Sequence, residues 1–433
     1  MNNSPDKRRN FVRFVCSKGD AMGHFLVKSK SLQSLVIFFG FVVGGFAGSV
    51  RAGGLYLESE FGTPSMGAAG AGAQAEAWDA STAWHNPAGM TRIDGSELML
   101  TGGFGFSRVK FDRDFVFPGI TGGDGGDAGG FFPLGGIFYV HSLSDDWKFG
   151  LSTYSISGAV LDYENDWAGR FLVQDVEIIT ATVQPSLAYR LNDELSLAAS
   201  FGAIYGNLEM DLAIPGVGGL PGPTNATLDG DDWEYGYGFS ALYEISETTR
   251  IGAMYWSEVE FNFSGDLKVT GVGGVGSDTD LPLAQFVRGG IYHQLNEKWA
   301  LVGTVAWEDW STMGDVFVST DGGAGASLPR NWSDTYHYAA GFHYRPKDKW
   351  LIRAGVAYDT NPVDASDRTP DMPIDRQVRY AAGVQYEYSE TLTLGVSFEY
   401  MDMGSAKIRR PLFRGDYEDN DIYVVGVFAN WKF

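Results

Sequence analysis

The chain is almost without cysteine: Cys16 is the only one in 433 residues, so no disulfide framework can hold it. Basic residues are scarce as well. Lys and Arg number 32 against 54 Asp and Glu, a formal net charge of −22, and a nucleic-acid binder of this length needs the opposite balance. Aromatics reach 14 %, which excludes a disordered chain. Beyond residue 52 there is no run of 18 apolar residues, so no membrane helix is expected. The mean hydropathy of −0.12 leaves a membrane barrel open, because barrel strands alternate and average out.

The leader is read first, since it is removed from fold reasoning. Lys7, Arg8, Arg9, Arg13, Lys18, Lys28 and Lys30 precede an apolar run from Leu35 to Ala47, and Val50-Arg51-Ala52 ends in an A-x-A-like site. This predicts a secretory signal peptide over residues 1–52, cleaved after Ala52. The long basic lead leaves Met1 and Met22 both open as starts. With the segment removed, 24 basic residues stand against 52 acidic ones, a net charge of −28, and no thiol remains.

Periodicity then points to the membrane. In Thr391–Met401, Leu392, Leu394, Val396, Phe398 and Tyr400 share one face, and Thr393, Gly395, Ser397 and Glu399 the other. Val378–Tyr388 and His337–Tyr344 alternate in the same way. Period two over about ten residues is the length and pattern of a tilted membrane β-strand, with the small and charged face turned to a barrel interior.

Connection lengths allow a strand count. Tight polar turns at 142–146, 191–194, 246–248, 295–298, 346–349 and 389–390 alternate with long Gly/Asp/Pro-rich segments at 112–133, 161–177, 207–233, 262–283, 311–334, 360–376 and 402–420. Six hairpins plus one strand at each end give fourteen. The expected fold is therefore all-β: a fourteen-stranded antiparallel transmembrane β-barrel over residues 96–433 in the bacterial outer membrane, an even number whose closure leaves no edge in lipid. Short turns then face the periplasm, and Trp and Tyr beside them form the interfacial girdle. The last strand ends on Phe433 in phase with Trp431, Ala429 and Val427, the kind of C-terminal signal read by the barrel-assembly machinery.

Residues 53–95 break the pattern. They are rich in Ala and Gly, lack sustained alternation and precede the first strand, so they are expected to form a hatch that plugs the lumen. This segment, ESEFGTPSMGAAGAGAQAEAWDASTAWHNPAGM, together with QPSLAYRLNDELSLAASFGAIYG and WLIRAGVAYDTNPV running on to DRTPDMPIDRQVRYAAGVQYEY, resembles the FadL/TodX family of outer-membrane transporters. The resemblance covers essentially all of residues 53–433. It implies passive uptake of hydrophobic compounds, long-chain fatty acids foremost, through an internal apolar pocket with lateral exit where the third strand kinks. Gly158 falls at that kink. Gly53, Gly54 and Leu55 are expected to border the pocket, and Asn86, Pro87 and Ala88 to fix the hatch. If the cargo is an acid, a lumenal cation meets it: Arg379 foremost, with Arg353 and Arg190 also on inward faces. The alternative for each Arg is an ion pair with an inward acid such as Glu387 or Glu399.

Other motifs lead nowhere. Gly67–Gly72 lacks the βαβ setting of a dinucleotide fingerprint, no Ser/His/acid set assembles by spacing, and His337 and His343 lack a third ligand for a metal. Neither cofactor nor metal is expected, and the chain is not read as an enzyme. The acidic runs 229–232 and 416–421 fit solvated loops or a Ca²⁺ bridge to lipopolysaccharide. Expected partners are hydrophobic small molecules and outer-membrane lipid, with no nucleic acid and a monomeric state. A general diffusion porin is the second reading, and a lipid-acting outer-membrane enzyme the third.

Overall fold

The structure is a computed structural model that describes residues 53–54, 56, 61–214, 222–323 and 325–433. The expected leader, residues 1–52, and Leu55 lie outside the described residues. No described helix is long and apolar enough to cross a membrane.

Fourteen antiparallel strands close on themselves. They are β1 Ser96–Val116, β2 Phe131–Ser142, β3 in two pieces (Trp147–Tyr154 and Gly158–Asp162), β4 Asp175–Arg190, β5 Leu195–Ile214 and β6 Thr224–Ser246. There follow β7 (Thr249–Trp256, Val259–Val269), β8 (Gly273–Leu283, Phe286–Gln294), β9 Trp299–Glu308 and β10 Thr335–Tyr344. Then come β11 Trp350–Asp359, β12 Gln377–Glu387, β13 Leu392–Asp402 and β14 Phe413–Lys432. Closure is made by β1 against β14, from Glu97 opposite Lys432 to Val116 opposite Phe413.

The pleat sorts the side chains as the alternation foretold. On β13, Ser397 and Glu399 are buried in the bore, while Val396 and Phe398 are exposed to the lipid side. On β6, Tyr235, Tyr237 and Phe239 point out and Gly236, Gly238 and Ser240 point in. In lipid an unpaired backbone group costs several kcal/mol, roughly, so the closed ladder is what makes this sequence stable there. At the short-turn end, rings pair across strands: Trp147 with Tyr189 at 4.6 Å, Trp299 with Tyr344 at 4.3 Å and Trp350 with Tyr386 at 4.7 Å. These form the expected girdle.

Two of the expected long loops, 207–233 and 262–283, are largely strand among the described residues, and residues 413–420 of a third, with its acidic run, belong to β14. β5 runs on to Ile214, β6 starts at Thr224, and β7 and β8 meet in a three-residue turn at 270–272. The barrel wall therefore extends past the aromatic band, and Asp229, Asp231 and Asp232 are strand residues. There Glu177, Glu209, Asp229 and Asp266 lie directly opposite one another on four successive strands. Like charges in register oppose pairing, which is why these stretches read as irregular from sequence.

Candidate functional site

Residues 61–95 occupy the bore. Two one-turn 3₁₀ helices, Pro64–Ala68 and Pro87–Arg92, each begin on a proline, whose fixed φ suits a first turn. Between them lie α1 Ala73–Glu76 and α2 Thr82–His85. The wall accepts this hatch because it is bare where they touch. A Cβ on Gly355 would sit 2.2 Å from the Ala68 carbonyl oxygen, and one on Gly252 1.8 Å from that of Gln74.

Asn86 ties three pieces together. Its Nδ2 donates to the carbonyl oxygens of Gln74 (2.6 Å) and, on β6, Ala241 (2.9 Å), while its Oδ1 accepts from the Ala88 amide (3.1 Å). The Ala88 amide also reaches Ser240 Oγ at 3.1 Å. Behind it, His85 Nε2 lies 3.1 Å from both the Thr63 and Ser65 hydroxyls. Burial pushes the His85 pKa down to about 4, so the ring is neutral when the hatch is seated.

A charged latch holds α1 near the short-turn end. Glu76 Oε1 is 3.1 Å from His343 Nε2, and its Oε2 is 3.7 Å from Arg353. Burial alone would raise the Glu76 pKa, but the neighbouring His343 ring and Arg353 guanidinium outweigh it and hold the carboxyl at about 2. Arg250 donates to the carbonyl oxygens of Ala75 and Glu76, a cation at a helix C-terminus. Arg190 likewise donates to the Thr91 carbonyl, and Arg92 pairs with Glu244.

Hatch and wall meet in an aromatic cluster. Phe61, Trp84 and Tyr154 meet edge to face and tilted at 4.1–6.1 Å, and Trp84 also faces Trp256 and Phe286. Beside this cluster lies a small cavity lined by Tyr56, Trp310, Trp332 and Ile374 on one side and Glu308, Asp359 and Arg379 on the other. Arg379 is buried, ion-paired to Asp359 and 3.9 Å from Glu399; His337 Nδ1 is 2.8 Å from the same Asp359. Expected alternatives for the Arg residues are thus met in part: Glu399 does face Arg379, whereas Glu387 pairs with Arg345 at 3.6 Å.

The barrel wall beside this cluster is interrupted at β3. The strand breaks at Ser155–Ser157 and resumes at Gly158. Before the break it pairs with β2, from Lys148 opposite Ser142 to Thr153 opposite Ile137. After it, the free edge is taken by Gly53 and Gly54, opposite Ala159 and Gly158. Residues 131–136 of β2 keep only β1 as a neighbour among the described residues. The gap is bounded on its outer side by the Asp162 amide donating to the Ala128 carbonyl at 3.1 Å.

A family model described as outer membrane protein transport protein (OMPP1/FadL/TodX) matches residues 44–433. The chain belongs to that family. Among its OMPP1/FadL/TodX relatives, the long-chain fatty acid transport protein of Salmonella typhi is 26 % identical over 414 residues, covering 87 % of this chain and 93 % of that one. Outer membrane protein P1 of Haemophilus influenzae is 23 % identical, covering 82 % and 87 %. The fold matches a Pseudomonas aeruginosa FadL homologue with TM-score 0.81 at 22 % identity, over 88 % of this chain and all of that one. It also matches the Ralstonia pickettii toluene transporter TbuX with TM-score 0.67 at 18 % identity, over 87 % and 99 %. This FadL/TodX member is thus an outer-membrane transport protein.

The sequence reading missed the latch. Glu76 gave no signal in an Ala-rich segment, and His343 was weighed only as a metal ligand. Its inward position on β10, beside inward Arg353 on β11, was legible from the alternation; the partner from the hatch was not.

Proposed function

We propose that the protein carries long-chain fatty acids and similar hydrophobic molecules from the long-loop side to the aromatic cluster, and releases them sideways between β2 and β3 into the membrane. The observation that carries this reading is the interrupted β2–β3 ladder directly in front of Phe61, Trp84 and Tyr154, with the N-terminal Gly53–Gly54 pinned to its edge. A fatty chain forced through an aqueous channel would lose about 0.8 kcal/mol per methylene, so an apolar chamber opening on lipid is the cheaper path. Arg379 receives the carboxylate by exchanging part of its pairing with Asp359, and Gly53 and Gly54 border the occupied pocket. The hatch, fixed through Asn86, Pro87 and Ala88, keeps the barrel from conducting. The protein works as a monomer among lipopolysaccharide, delivered by the barrel-assembly machinery.

Gly158→Leu tests the route. Gly158 is buried opposite Gly54, and a leucine there adds bulk at the break, so oleate binding to purified protein persists while cellular uptake falls several-fold. Full uptake by a correctly inserted Gly158→Leu protein would refute lateral exit.

A further inference from the structure

The short-turn mouth carries a second cavity, of about 230 Å³, that none of the transport reading uses. It lies between the hatch and the β8–β9 and β10–β11 ends, walled by Trp78, Tyr292, His343, Arg345, Lys298 and Gln294. Three rings converge: Trp78 is 5.0 Å from Tyr292 and 5.4 Å from His343, centroid to centroid. Two guanidinium groups flank the indole, Arg345 at 5.5 Å and Arg250 at 5.6 Å. The one carboxylate in the lining, Glu297, is exposed on the turn.

The buried polar group in the lining is His343. It is 2 % exposed; its Nε2 lies 3.1 Å from Glu76 Oε1, and neither ring nitrogen has a hydrogen-bond partner of good geometry among the described residues. A buried polar nitrogen without a partner is costly, and native structures rarely leave one so. Arg345 is itself loosely held, 3.6 Å from a half-exposed Glu387. The size is below the roughly 300–1,000 Å³ of pockets for drug-sized ligands, which excludes a long acyl chain.

We propose that this mouth is a binding site for a small organic anion with a flat apolar body, an aromatic carboxylate being the fitting class. Its ring lies against Trp78 and Tyr292, and its carboxylate accepts from Arg345 and Lys298. The site is separate from the Arg379 cavity and opens to the periplasmic side.

Titrating benzoate into the purified full chain in detergent micelles tests this. Saturable one-site binding is expected, quenching indole fluorescence, and oleate at saturation does not displace it. Arg345→Gln weakens benzoate about tenfold, the scale of a lost charge-assisted hydrogen bond, and Trp78→Phe retains more affinity than Trp78→Ala. Heat-modifiable mobility on gels confirms that each variant is a folded barrel. Absence of saturable binding, unchanged affinity in Arg345→Gln, displacement by oleate, or octanoate binding as tightly as benzoate would each overturn the assignment.

Discussion

Arg379 is the residue on which the proposed cargo chemistry turns. It is buried, shares Asp359 with His337, and borders the cavity that Tyr56 and two tryptophans enclose. Arg379→Gln is expected to cut affinity for a fatty acid about tenfold while leaving a neutral hydrocarbon unaffected, as read by equilibrium binding; an equal loss for both would show that Arg379 only supports the wall. His85 sets a pH response. Released into water its pKa is near 6.5, and seated it is about 4, so the seated state is favoured fully above pH 6.5 and loses that preference as pH falls towards 4. Glu76 acts in the same direction lower down, between its ordinary value and about 2, while Asp79, raised by burial, acts against it. The His85 share is isolated by comparison: protease sensitivity of the hatch rises between pH 6.5 and 4 in the native protein, and this rise is absent in His85→Gln.

At the scale of elements, the hatch and the wall are one fitted pair. Asn86→Ala removes the donor to two buried carbonyls, each worth about 1–3 kcal/mol when left unpaired, and should raise ion leakage in planar bilayers without lowering barrel yield. Gly355→Val should do so more strongly, because its Cβ meets the Ala68 carbonyl where nothing can give. Unchanged leakage in both would mean that the hatch seats elsewhere. Legibility from sequence differed by element. The strands were readable because alternation is a local property, as in Leu392–Asp402, whose outward Val396 and Phe398 fell on the expected face. The outer reaches of β5–β8 were not, because acids in register on neighbouring strands look like loop composition. The hatch was recognisable by its lack of pattern, but the contacts of Glu76 with His343 and Arg353, more than 250 positions away, carry no local signature.

For the whole described barrel, polarity is arranged in tiers: an oily exterior, an aromatic cluster towards the long loops and an ionisable latch towards the short turns. A barrel so filled should conduct almost nothing, and removing residues 53–72 should open it, which single-channel recording decides; a large basal conductance would favour a diffusion porin. The account's central claim is that cargo leaves through the wall and not through the floor. The direct measurement places the protein in vesicles with its long loops outward, adds a fluorescent fatty acid outside, and follows it with a quencher confined to the bilayer and albumin enclosed in the interior. The account predicts a protein-dependent signal in the bilayer that is independent of the albumin and lost in Gly158→Leu. Protein-dependent arrival on albumin ahead of the bilayer, unaffected by that substitution, would contradict it.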